Sequence, residues 1–170
     1  MLNRSRHRGI TLVEAMIACT VLGIAVIGVA GLMASSAGQA EYVKENSTAM
    51  LLARQLMEEI AAKPLLDNGG TTRHLGPESS ENSRTKYDSA DDYNGYFDDT
   101  TGTIKTAGND WISLGGGMRY TRRVSVEYRA TPAGASNSSG DFGLITVTVA
   151  TPSGSTVVLT RLMCNSTMKY

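Results

Sequence analysis

The chain is poor in the residues that usually build catalytic or disulfide-held sites. It has two cysteines, two histidines and one tryptophan in 170 residues. Cys19 lies in an apolar run and Cys164 near the C-terminus, so they do not form a sensible pair. Cys19 reads as a small packing residue and Cys164 as a buried strand residue. His7 sits in a short basic segment, and His74 stands alone in a loop. There is no nucleophile elbow and no paired-cysteine ligand motif, and Gly115-Gly116-Gly117 lacks the lysine and helix of a phosphate loop. No enzymatic activity is expected. Sixteen basic and sixteen acidic residues cancel, which argues against nucleic acid as a main partner.

What the chain does have is one long apolar run, Gly9 to Ala34, preceded by Arg4, Arg6, His7 and Arg8. A helix of roughly 20 apolar residues crosses a bilayer core. From Ala15 to Ala34 there is no charge, yet Glu14 opens the span. A carboxylate in lipid costs roughly 3 kcal/mol or more, so it calls for a function and a partner. A secretory signal peptide would have a shorter apolar core. A plain single-span anchor would leave Glu14 without a reason.

Gly9-Ile10-Thr11-Leu12-Val13-Glu14, with the basic segment before it and the apolar helix after it, resembles the N-terminus of type IV prepilins. The resemblance implies cleavage after Gly9 by a prepilin peptidase/methylase and N-methylation of Ile10. It also implies that Glu14 attracts the N-terminal amine of a neighbouring subunit during assembly. Partners are then other pilins or pseudopilins, met through the N-terminal helix. The location is the inner membrane in single-pass form, with the C-terminal domain extracytoplasmic, and a surface or periplasmic filament after assembly. Ile10 replaces the commoner phenylalanine, and the helix lacks the proline many members carry.

The expected fold is α+β, a pilin-like lollipop with a long N-terminal helix packed on an antiparallel β-meander. Residues 1–9 read as a leader peptide, 10–34 as the transmembrane and filament-core helix, and 35–63 as the amphipathic half of the same helix. Met50, Ala53, Met57 and Ile60 recur at helical spacing, flanked by Leu52 and Leu56. Lys63-Pro64 ends the helix, because a residue before proline is pushed out of helical geometry. Residues 64–117 are polar and glycine-rich and read as a variable αβ-loop, with Trp111 and Ile112 as core contacts.

Residues 118–170 read as an antiparallel sheet of three strands. In the first strand Tyr120, Val124, Val126 and Tyr128 share a face, and Arg122 breaks it as an edge or bulge. Arg119, Arg123 and Arg129 lie on the outer face, open to an acidic partner or DNA, although a solvated face is favoured.

The run from Tyr87 to Asp99 contains Asp91, Asp92, Asn94 and Asp98. Acids with Asn-Gly suggest calcium, since hard cations take several oxygen ligands. An EF-hand alignment fails, because Ala90 and Thr101 occupy its first and last ligand positions. The other reading is a solvated turn with its tyrosines on the sheet. It is favoured, so no cofactor or metal is assigned and these four remain the calcium candidates. The run also resembles a stretch in minor pilins of the PilV and MshD kind. The function expected is that of a minor pilin. The alternatives are a pseudopilin of type II secretion and a pilin-anchored extracytoplasmic binding module.

Overall fold

The computed structural model describes residues 11–66, 73–101, 103–105, 111–113 and 119–165, with backbone alone for 100, 101, 103–105 and 111–113. Gly9, Ile10 and the side chains of Trp111 and Ile112 lie outside the described residues. One helix, α1 (Leu12–Ala61), opens the fold. Two compact units divide the chain, Met1–Tyr42 and Val43–Tyr170. The first contributes a helical segment whose described side chains are all exposed. The second holds the rest of α1, two short 3₁₀ helices and the strands.

In the second unit α1 buries Ala49, Leu52, Ala53, Leu56, Met57 and Ile60. These recur every three or four residues and form one stripe. Met50 was expected on it but is 37% exposed, whereas Ala49 is fully buried. The stripe starts one residue earlier, with the small side chain against the core. The last turn closes with Lys63 N–H donating to the Ile60 carbonyl at 3.1 Å, just before Pro64.

Four antiparallel strands form the main sheet, in the order β1 (Phe97–Thr101), β4 (Arg119–Arg129), β5 (Phe142–Ala150), β6 (Thr156–Cys164). The expected meander is β4-β5-β6, and β1 adds a fourth strand from within the segment read as loop. A separate ribbon pairs β2 (Thr103–Lys105) with β3 (Trp111–Ser113). The inward residues of β4 and β5 alternate strictly. Tyr120, Val124, Val126 and Tyr128 meet Ile145, Val147, Val149 and the helix stripe in one core. Burying each large apolar side chain here contributes about 1.5–3 kcal/mol.

Two expectations need correction. Arg122 is neither at an edge nor in a bulge: it pairs in register with Asp98 on one side and Val149 on the other, and it is fully buried. Cys164 is not buried. It ends β6 on the exposed face of an edge strand, and Cys19 is likewise an exposed, unpaired thiol.

The β5–β6 turn is anchored to the helix. Gly154 takes φ +87°, a conformation that only glycine adopts readily. The Ser153 N–H donates to Glu45 Oε2 at 3.3 Å, and Ser155 Oγ donates to Asn46 Oδ1 at 3.0 Å. The polar residues at the top of the stripe thus hold the turn.

Candidate functional site

In the first unit, α1 starts at a threonine that suits the role. Thr11 accepts the Glu14 N–H through Oγ1 at 3.3 Å and the Ala15 N–H through its carbonyl at 3.1 Å. These bonds satisfy donors that a helix N-terminus leaves open. Glu14 sits in that first turn, where the helix dipole favours a negative charge. From Ala15 to Ala40 no residue is charged. The large apolar side chains of this stretch, such as Ile17, Leu22, Ile24, Ile27 and Leu32, are exposed on all sides of the helix. Thr20 folds its hydroxyl back onto the Met16 and Ile17 carbonyls at 3.1 and 2.8 Å, so it presents no open donor. A helix apolar all round requires apolar surroundings. This one is long and apolar enough to cross a membrane and fits a membrane anchor.

In the second unit the acidic run is woven into the core. Its 3₁₀ helix, Asp91–Tyr93, is buried at all three residues. Asp91 accepts from the hydroxyls of Ser89 and Tyr128. Burial pushes its carboxyl upward, against these hydrogen bonds. Asp92 Oδ2 accepts the backbone N–H groups of Asp88 and Ser89 at 3.0 and 2.8 Å. Asn94 Oδ1 accepts from Val126 N–H at 3.0 Å, and Asp98 accepts from Arg122 at 2.5 Å. The four calcium candidates therefore engage separate protein donors. Of these four, the structure brings only Asp92 into an acidic cluster, with Glu78 and Glu81.

Glu59 ties this loop to the helix, a role the sequence reading missed. It pairs with Arg84 through both carboxylate oxygens and accepts from Tyr93 Oη at 2.6 Å. Arg84 also donates to Tyr96 Oη at 3.1 Å and lies over the Tyr96 ring, 5.2 Å from its centroid. Burial, the largest single influence, opposes the Arg84 charge, but the hydrogen bonds and charges of Glu59 and Tyr96 together outweigh it and raise its pKa. Burial first, then Glu59, pushes the Tyr93 hydroxyl well above its usual range. Tyr87 packs edge-on to Tyr93 at 5.0 Å. The signal was available: Glu59 stands three residues after Leu56 and seven after Leu52, at the edge of the buried stripe.

The outer arginines have local partners. Arg119 pairs with Asp99, and Arg129 lies 3.4 Å from Glu127. Arg123 stacks over Phe97 with 5.2 Å to the ring centroid.

Comparison with curated proteins and with solved structures gave no match. Residues 4–30 match the family model of the prokaryotic N-terminal methylation motif. That match includes Gly9, Ile10 and Glu14 and the apolar run as far as Ala30. Proteins built on this motif are structural rather than enzymatic, and it implies processing by prepilin peptidase and assembly with other pilins. The chain carries the type IV prepilin-like signature at residues 4–30, and that signature supports a pilin- or pseudopilin-like protein.

Proposed function

We propose that this protein is a non-enzymatic structural subunit of a type IV pilus-like filament, acting as a minor pilin. It waits in the inner membrane with the Val43–Tyr170 unit outside the cytoplasm. Prepilin peptidase cuts after Gly9, and the new terminal amine of Ile10 is methylated. The apolar helix then moves from lipid into a filament core made of similar helices.

One observation carries this reading. Glu14 is the sole charge on an exposed apolar helical stretch, and it lies inside the matched motif. In a low-dielectric core a lone carboxylate is expensive, and an opposite charge is poorly screened. The amine of Ile10 on a neighbouring subunit supplies that charge. Only a subunit in the correct axial register satisfies both groups, so the pair acts as a docking check. Close helix approach is helped by Gly28, Gly31 and Ala34, since small residues favour helix contacts in membranes.

The test is Glu14→Ala in cells that assemble the filament. Membrane insertion should be unchanged, and incorporation should fall by roughly tenfold or more, as expected when a buried charge loses its partner. Incorporation of the variant at the normal level contradicts the reading.

A further inference from the structure

Glu78, Glu81 and Asp92 come together from two segments of the 64–117 stretch. Glu78 and Glu81 bracket a turn in which the Glu81 N–H donates to the Glu78 carbonyl at 2.9 Å. The Glu78 N–H in return donates to Glu81 Oε2 at 3.2 Å. Asp92 is the middle residue of the buried 3₁₀ helix. The segments are fastened where the Gly76 N–H donates to the Asp91 carbonyl at 3.0 Å. Gly76 has φ +105°, so glycine makes this approach easy.

One carboxylate oxygen from each acid lies within 4.8 Å of the other two. Glu81 is 8% exposed and Asp92 1%. Among the described residues, neither pairs with a lysine or arginine. Asp92 Oδ2 is satisfied by two backbone donors, but its Oδ1 is buried with no hydrogen-bond partner. Buried carboxylate oxygens are normally given a donor or a cation, because leaving them bare is costly.

We propose that Glu78, Glu81 and Asp92 hold a calcium ion that clamps the 76–81 turn to the 3₁₀ helix. The donor set is all oxygen, which suits a hard cation and not zinc or copper. Calcium binds oxygens at about 2.3–2.6 Å, so its shell is roughly 5 Å across and takes the cluster as it stands. Magnesium, at about 2.1 Å, demands a tighter octahedron. Glu78 is half-buried, which leaves the site open on one side for water to complete the shell. Asp91, Asn94 and Asp98 are not ligands, because their side chains brace Tyr128, Val126 and Arg122. The site stands apart from the filament role and holds or fails on its own.

The full chain in detergent, stripped with EGTA, is titrated with CaCl₂ by calorimetry and melted with and without calcium. A single ion should bind per chain and raise Tm by roughly several degrees, since a ligand specific to the folded state stabilises it. Glu78→Gln and Glu81→Gln should each weaken calcium binding by roughly tenfold or more, because affinity follows ligand charge. Both should melt in EGTA no lower than the unaltered protein, as each loses a repulsive charge. Asp99→Asn, on the edge strand, should bind calcium normally. No calcium heat and no Tm shift overturns the proposal, as does normal affinity in both glutamine variants.

Discussion

Asp98 and Arg122 stand opposite each other on β1 and β4 and form an ion pair at 2.5 Å, with side chains only 6% and 0% exposed. Arg122 lies between Tyr120 and Val124 on the inward face of β4, in strict alternation. A lone guanidinium there would be prohibitive, and β1 brings in the carboxylate that makes the position tolerable. Breaking such a pair from one side leaves an uncompensated buried charge. Asp98→Ala should destabilise the fold by about 3–5 kcal/mol, and Asp98→Leu with Arg122→Met should recover most of that loss. Denaturant unfolding of the single and double variants checks both outcomes.

Two glycines separate a rigid obstacle from a yielding one. A Cβ on Gly140 would sit 2.1 Å from the Arg129 carbonyl carbon and oxygen, which are backbone atoms. A Cβ on Gly143 would meet Leu65 Cδ1 at 2.3 Å, the far end of a side chain that can rotate. Gly140→Ala should therefore cost about 3 kcal/mol or more and Gly143→Ala about 1 kcal/mol, the range for overpacking. Equal losses in thermal melts would contradict the distinction.

Asp99 titrates below the usual carboxylate range because Arg119 hydrogen-bonds its charged form. The sign follows from that direction. The pair contributes stability above the ordinary carboxylate pKa of about 3.9, and the contribution is lost as pH falls through the lowered value. The pair is exposed, so the effect is small and fades with salt. Carboxyl NMR titration should show the low midpoint, and Arg119→Ala should return it upward.

The helix and the sheet core were legible because both follow strict periods. Ala53, Leu56, Met57 and Ile60 recur at helical spacing, and the even-numbered residues of β4 face inward. The stripe's upper end was misplaced by one residue, because Met50 looks like the better core residue and Ala49 wins on fit. β1 was invisible for a different reason. Phe97-Asp98-Asp99-Thr100-Thr101 has no apolar alternation, and its place comes from acids that match the arginines of β4. The exposure of Cys164 depends on β6 being an edge strand, which no local pattern states. Glu78, Glu81 and Asp92 are not contiguous in sequence and do not read as a set, and the fold, including the Gly76–Asp91 contact, joins them. Gly9 and Glu14 fall within the matched motif at residues 4–30, and the roles expected of them come from the resemblance to type IV prepilins.

On the proposed function, the motif at residues 4–30 is processed and the helix beginning near Leu12 is used for assembly. The most direct measurement is the N-terminal residue of the mature protein, by mass spectrometry of membrane-extracted material. Processing at the motif gives a start at Ile10 carrying one added methyl group. A protein that retains Met1, or that starts near Gly38 after signal-peptide removal, contradicts it.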